Sequence, residues 1–460
     1  MIGYLRKRYR NLDIFKDANE TNLFNKKIKE DCTMEFLANN IDMLSLITLV
    51  IAIIISIWKN INLGIMSLGL AYIIGHLIGG MKVKELVSGY PSSLLITLVG
   101  VTFLFGIAQS NGTLDKITKH TVKMVKGKVA LLPIVLFFLA FILSSLGPGQ
   151  ISISALMAAP TMVLAAEVGI PPLLMALVVG NGAQAGAMSP LAPNGIVGNS
   201  VLAEMGVTGM EMTMWINMLL VHVLVAAIAY VYFGGLKLWK VKNSTKVNEL
   251  VNMVVEPFDF NQKATLTAIG FLVVSVVLLK FDVGFTAAFL GSILILMKAG
   301  DEKVAFKTMP WGAIILVTGV TVMVKLMQDI GGMDLFADIM ANFSTPFTAT
   351  LVIGFFAALV SAYASTSGVI MPAFLPMAPL LLERIGAPAG DLIPLIVTII
   401  VAGHLTDMSP LSTTGAVFIS GSPDYIDSKP LYKGMMIWGF SMSIIGAVLC
   451  WVLFSVLRLV

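Results

Sequence analysis

Apolar runs recur along the whole chain, separated by short polar or basic connections, and their order is the same twice over. About 20 apolar residues carry a helix across a bilayer. The pattern predicts helices near 41–58, 61–81 and 92–110, then again near 264–280, 283–298 and 311–328. Each third helix is followed by a glycine-started amphipathic stretch, 112–128 and 331–345, too polar to cross and suited to the membrane interface. Next comes 131–146, whose 16 residues make about 24 Å of helix, short of a ~30 Å hydrocarbon core. It ends at Ser144-Ser-Leu-Gly-Pro-Gly149, and 150–167 runs back. The second succession repeats this with 347–363, Ser365-Thr-Ser-Gly368 and 369–385. Short apolar arms around small polar residues predict a re-entrant hairpin whose tip stops inside the membrane. Each succession closes with a long stretch interrupted by prolines and polar residues (173–203, 391–420) and an ordinary span (212–235, 432–457). The total is ten spans and two hairpins.

Direct comparison shows that the likeness is a duplication. Pro91-Ser-Ser-Leu-Leu-Ile-Thr-Leu-Val-Gly-Val-Thr102 matches Pro310-Trp-Gly-Ala-Ile-Ile-Leu-Val-Thr-Gly-Val-Thr321 at an offset of 219. Gln109, Gly112 and Asp115 fall on Gln328, Gly331 and Asp334 at the same offset. Met188-Ser-Pro-Leu191 matches Met408-Ser-Pro-Leu411 at 220, and Gly195 falls on Gly415. The predicted fold class is an all-α membrane protein of two inverted-topology repeats. Each repeat has five transmembrane helices, one re-entrant hairpin and one discontinuous helix. The domains are a polar basic tail (1–40), repeat 1 (41–235; hairpin 131–167, broken helix 173–203), a cytoplasmic linker (236–263) and repeat 2 (264–460; hairpin 347–385, broken helix 391–420).

Composition agrees: of 460 residues 57% are hydrophobic and 12% charged, about half the charged share of a soluble domain. The alternation of an outer-membrane barrel is absent. The net charge of +4 is no nucleic-acid signal, since the lysines sit in short loops. Two cysteines, Cys32 and Cys450, supply neither a disulfide framework nor a cysteine metal site. Residues 1–33 carry eight Lys/Arg and no apolar core, so they are no secretory signal. They read as a disordered or surface-lying tail; a secondary expectation is that they are dispensable, which loss of transport on their deletion would overturn.

Lysines also set orientation. Stretch 112–128 carries Lys116, Lys119, Lys123, Lys126 and Lys128, whereas 329–345 carries Asp329, Asp334 and Asp338 and no lysine. The same element thus lies inside in one repeat and outside in the other. Loops 236–263 (Lys237, Lys240, Lys242, Lys246, Lys263) and 298–310 (Lys298, Lys303, Lys307) read as cytoplasmic, and 204–211, with Glu204 and Glu211, as external. Ten spans with this polarity place the basic N-terminus outside, so the tail and the interior loops disagree.

Over about 41–457 the chain resembles the ion-transporter superfamily, most closely its MatC-type malonate/dicarboxylate carriers, and is distantly similar to divalent anion/sodium symporters. The resemblance rests on Leu98-Val-Gly-Val-Thr102 with Gln109-Ser-Asn-Gly112, on the two hairpin tips and on the paired Ser-Pro-Leu breaks. It implies a carrier of small dicarboxylates such as malonate, succinate or malate in the cell inner (plasma) membrane, working by an elevator-type cycle as a homodimer. In those symporters each tip carries a Ser-Asn-Thr triplet that holds substrate carboxylate and sodium. Here the tips are Ser145-Leu-Gly-Pro-Gly149 and Ser365-Thr366-Ser367, neither with the Asn.

Four repeat-matched breaks supply polar, non-helical backbone: Ser144–Gly149, Asn181–Gly195, Ser365–Gly368 and His404–Gly415. Exposed N–H groups and positive helix ends at such breaks replace the hydration of an anion, and unwound carbonyls coordinate a cation. The candidate substrate ligands are Ser144, Ser145, Gly147, Gly149, Asn194, Ser365, Thr366, Ser367, Thr413 and Thr414. The candidate cation ligands are Ser145, Gly149, Asn181, Ser189, Ser365, Ser367, Thr406, Asp407 and Ser409, with sodium as the metal. Asp407 and His404 are three apart and share a face if the helix continues. Asp407 then reads as a cation ligand or proton acceptor, or the two form a structural pair that pins the break. Lys325 and Asp329 read as snorkelling interface residues.

A dianion moving inward against 100 mV costs about 4.6 kcal/mol, so accumulation needs cotransported cations. The pattern does not choose among sodium, protons and exchange. No other cofactor is expected, and the partners are the dicarboxylate and membrane lipid, with no nucleic acid. A cation/proton antiporter or inorganic-anion permease on the same architecture is the alternative and would favour more buried carboxylates. With four histidines, no His-Glu-x-x-His and no Walker A stretch, neither an intramembrane enzyme nor an ATP-driven pump fits.

Overall fold

The structure is a computed structural model that describes residues 37, 39–59, 61–124, 128–240, 256–423 and 427–460. The basic stretch 1–33, most of the 236–263 linker, and Lys126, Lys242 and Lys246 lie outside the described residues. Among the described residues every regular element is helical and there is no strand.

The first succession is α1 (Ile41–Lys59), α2 (Leu63–Ile78), α3 (Val83–Ser88), α4 (Ser92–Ser110), α5 (Thr113–Met124), α6 (Leu131–Ser145), α7 (Gly149–Val168), α8 (Pro172–Ala185), α9 (Pro193–Glu204) and α10 (Glu211–Tyr232). The second is α11 (Phe260–Val277), α12 (Val283–Leu296), α13 (Glu302–Thr308), α14 (Trp311–Asp329), α15 (Gly332–Ala341), α16 (Ala349–Ser361), α17 (Thr366–Arg384), α18 (Leu392–Thr406), α19 (Thr413–Ser420) and α20 (Ser428–Val456). Side-chain caps start several of them. Asn62 Oδ1 accepts from Gly64 N at 2.9 Å and Asp282 Oδ1 from Phe285 N at 2.9 Å, while Asp259 and Gln262 cap each other's backbone N–H.

Where the pattern predicts ten spans, eight described helices are long and apolar enough to cross a membrane, and α2, α6, α8, α11, α12 and α16 are apolar but shorter. Two of the eight, α7 and α17, are the predicted return arms. They are longer than expected because the turns before them are tight. Gly147 (φ 144°) and Gly149 (φ 75°) reverse the chain within a few residues, and α7 starts at Gly149 itself. In the second turn Ser365 Oγ caps Gly368 N at 3.2 Å, so α17 begins at Thr366.

The two successions pack crosswise, α4 on α12 and α14 on α2. A Cβ on Gly100 would stand 2.2 Å from Gly284 O, and one on Gly319 2.2 Å from Gly64 O. Without a hydrophobic force between helices in lipid, close backbone contact of this kind helps to hold them, beside hydrogen bonds such as Asn62 Nδ2 to Gly312 O at 2.8 Å. Gly100→Val and Gly319→Val are each expected to lower the melting temperature of the detergent-solubilised protein. Each should cost on the order of 1–3 kcal/mol or more, because the obstructing atoms are backbone. An unchanged melting curve would show that the contact carries no stability.

The interior belongs to α8 and α18, which are buried on every face from Leu174 to Ala185 and from Pro394 to Thr406. Helix α8 lies among α6, α7 and α10; α18 lies among α16, α17 and α20. Both stop inside the protein.

Candidate functional site

Helix α8 ends at Ala185 and α9 starts at Pro193; α18 ends at Thr406 and α19 starts at Thr413. The seven and six residues between fold alike. Gly195 N donates to Ala187 O at 3.0 Å and Gly415 N to Asp407 O at 3.1 Å. Leu191 N and Leu411 N each reach a serine hydroxyl, Ser189 and Ser409, at 3.3 Å. Pro190 and Pro410 deny the helix its next N–H. The breaks are narrower than the predicted 181–195 and 404–415. Asn181 and Gln184 lie on α8, His404 and Thr406 on α18, and Asn194 and Thr414 on the helices that follow. Asn181 stays helical because its Nδ2 bonds the carbonyl of Leu177 at 2.7 Å.

The breaks bond each other reciprocally. Gln184 Nε2 donates to Thr414 Oγ1 at 3.3 Å, and His404 Nε2 meets Asn194 Nδ2 at 2.8 Å. Gln184 and His404 are 220 apart, as are Asn194 and Thr414. Since His404 Nδ1 lies 2.7 Å from Ile400 O, Nδ1 carries the proton and Nε2 accepts from the amide.

Around Asp407 four side chains converge. Its Oδ1 accepts from Ser361 Oγ and Thr366 Oγ1, both at 3.1 Å, with Ser412 Oγ at 3.5 Å. Its Oδ2 accepts from Thr366 Oγ1 at 3.2 Å and Gln184 Nε2 at 3.4 Å. Ser361 and Thr366 also bond each other at 2.7 Å. The carboxylate is 4% exposed, and among the described residues no lysine, arginine or histidine pairs with it. The amide oxygen of Gln184 is buried without a partner. An acceptor-only oxygen beside a lone buried carboxylate suits a small monovalent cation or a proton.

Asp407 and His404 are not a pair. The helix ends at Thr406, so Asp407 turns toward α16 and α17 while His404 reaches across to α9. The other predicted ligands fall into separate groups. Ser145 accepts from Trp215 Nε1 at 3.2 Å, and its carbonyl accepts from Ser189 Oγ at 2.6 Å. Asn181 Oδ1 meets His222 Nδ1 at 2.8 Å. Thr406 Oγ1 bonds the Ala358 carbonyl, a tie to α16, and Gly439 packs on Ser409. None of Ser145, Asn181, Ser189 or Ser409 bonds Asp407. Ser144 is buried with its hydroxyl unpartnered, and Ser365 lies 3.3 Å from Ser367.

Between the two turns lies a cavity of about 30 Å³, lined by Thr102, Gly149, Gln150, Asn194 and Ser367. Beside it an open vestibule of about 610 Å³ runs from Ser56, Asn62 and Gly312 to Ser365, Ser412 and Thr413. Ser361, Thr102 and Gln150 are site residues absent from the predicted sets; Gln184 and Ser412 belong to the polar residues of the predicted breaks but stand outside the two ligand sets. The offset of 220 pairs Gln184 with His404 and was the signal for it; nothing local marks Ser361. Among the described residues no group of three or more His, Cys, Asp or Glu could hold a metal ion.

Buried polar helix breaks inside a bundle of apolar, membrane-length helices define a multi-pass membrane protein with an internal polar site. Residues 39–187, from the start of α1 into the first break, match the family described as dicarboxylate carrier protein MatC N-terminus, so the MatC-type resemblance holds over that stretch. No curated protein matches the chain.

Proposed function

We propose that this protein is a cation-coupled secondary carrier of small organic dianions, dicarboxylates such as malonate, succinate or malate, in the cell inner (plasma) membrane. The observation that carries the reading is Asp407, a buried carboxylate ringed by hydroxyls and one amide where the second turn meets the second break. A dianion approaching the neighbouring helix starts of α9 and α19 is repelled by that charge until a cation or proton occupies it. The two loads therefore travel together. Asn194 and Thr414 sit at those helix starts, where backbone N–H groups and the helix dipole favour an anion, and Ser367 and Gly149 face the same cavity. Asp407 is the sole buried carboxylate among the described residues, which favours this reading over a cation/proton antiporter.

The crosswise glycine contacts and the reciprocal Gln184–Thr414 and His404–Asn194 bonds support two inverted halves related by a pseudo-twofold axis. The two helix–turn–helix pairs are then re-entrant hairpins that move with the broken helices in an elevator cycle, the protein working as a homodimer. By the positive-inside rule, the connections bearing Lys59, Lys303 and Lys307 face the cytoplasm, and the vestibule opens there.

Uptake of labelled malonate, succinate, malate and citrate into proteoliposomes, under separately imposed sodium and proton gradients, tests the proposal. Gradient-driven uptake of the first three, each competing with the others, is expected; no uptake under either gradient overturns it. Asn194→Ala removes one donor beside the cavity and leaves His404 Nε2 unpartnered. It should raise KM for the dianion about tenfold, within the 1–3 kcal/mol range of a lost buried partner, with the ion dependence unchanged. An unaltered KM would exclude Asn194 from the anion site.

A further inference from the structure

The two successions hold their amphipathic helices differently. In the second, α15 packs on α17 and α1, and Phe336 meets Phe374 edge-on at 5.2 Å. There Arg384, in the last turn of α17, bonds Asp338 through Nε at 2.6 Å and Asp334 through Nη2 at 3.2 Å. In the first, α5 rests on α4 and α6 instead.

Matching positions show what the first succession carries there. Helices α7 and α17 end in the same cap: Gly169 (φ 75°) and Gly386 (φ 65°) are left-handed. Ile170 N bonds Ala165 O at 2.8 Å and Ala387 N bonds Leu382 O at 2.9 Å. These pairs are 217 apart, so Arg384 corresponds to Glu167. Along α5 and α15 the offset is 219, so Asp338 corresponds to Lys119. The pair recurs at matched positions with its signs reversed. Among the described residues neither Glu167 nor Lys119 makes an ion pair, and both are exposed.

We propose that Arg384–Asp338 and Lys119–Glu167 are two alternating ionic latches, one closed in each phase of the transport cycle. The inference rests on the two-halved, alternating-access reading given above. In the phase seen here the Arg384 latch is closed on the side away from the vestibule, and the vestibule is open on the side that bears Lys119. When the first half takes up the packing that the second half shows, α7 swings under α5 and Glu167 meets Lys119. The same motion takes Arg384 off α15. The four residues touch neither site nor substrate; they are positioning residues that set the balance between phases.

The test is thiol alkylation of the full chain in inside-out membrane vesicles with an impermeant maleimide. The reporter is Tyr363→Cys, at a position lining the vestibule by the second turn, in a background carrying Cys32→Ser and Cys450→Ala. Arg384→Glu should slow alkylation about two- to five-fold, the range an exposed ion pair carries. Adding Glu167→Lys, on the opposite side of the protein, should restore the rate. A merely structural Arg384 would not be rescued by Glu167→Lys. An unchanged rate in Arg384→Glu, or a deeper loss in the combination, overturns the proposal. Should these variants fail to fold, a short bis-maleimide must still join Lys119→Cys to Glu167→Cys; no cross-link overturns it equally. Malonate uptake is scored in the same vesicles, so that failure of the substrate reading shows as lost uptake beside intact alkylation shifts.

Discussion

Asp407→Asn is expected to abolish ion-dependent uptake while the protein still folds. The amide has the volume of the carboxyl, and its oxygen still accepts from the Ser361 and Thr366 hydroxyls. On the other side Gln184 can turn its unpartnered oxygen toward the new NH2 group, replacing the lost contact. What disappears is the charge. A coupling cation held by neutral oxygens alone loses its anchor, and a coupling proton loses its acceptor. Loss of a charge-assisted contact of about 3 kcal/mol corresponds to at least about a hundredfold fall in gradient-driven uptake. The elution profile in detergent should be that of the parent. Parental uptake with the same gradient dependence would remove Asp407 from the mechanism and leave the coupling proposal without a carrier.

Gly415→Ala and Gly195→Ala are the second large effect, and they act through shape. A Cβ at Gly415 would lie 2.0 Å from Ser409 O and 2.8 Å from Met408 O; at Gly195 it would lie 1.9 Å from Ser189 O. The crowding atoms are backbone in a buried break, so they yield only if the break opens. Opening it costs the Gly415 N–Asp407 O or Gly195 N–Ala187 O bond, each inside the protein. We expect each substitution to cost more than about 3 kcal/mol, beyond ordinary overpacking, read as a lower melting temperature, with uptake lost in whatever folded protein remains. A stable, active Gly415→Ala protein would mean that the break is not held in this form during transport.

Much of the helix order was legible because a bilayer imposes long apolar runs, and because the duplication writes the pattern twice. The apolar runs ended within a few residues of the observed helices, as at Ser92–Ser110 and Gly149–Val168. Pro190 and Pro410 mark the breaks in the sequence, but the polar residues around them make the breaks look wider than they are. Polar residues such as Asn181 and Gln184 suggest unwinding, yet each finds a partner while remaining helical. The partners of Asp407 were harder. His404 is the near neighbour in sequence, whereas Ser361 and Gln184 are 46 and 223 residues away. One early end to a helix, at Thr406, sends the two side chains to different elements. No periodicity records where a helix stops relative to a particular carboxylate. The charge-reversed pair at Glu167 and Arg384 was hidden for another reason. The offset drifts from 219 to 217 between the amphipathic helix and the end of α7, so a fixed register misaligns them.

The narrow space between the turns has a bearing on affinity. A void of about 30 Å³ admits a water or two, whereas even a three-carbon diacid is several times bulkier. If the proposed dianion binds there, its entry wedges Gly149 and Pro193 away from Ser367, and part of the contact energy is spent on that spreading. A solute admitted in this way is held less tightly than its contacts alone would allow. Modest affinity, with the unloaded protein closing up behind each departing molecule, is the behaviour such a collapsible pocket favours.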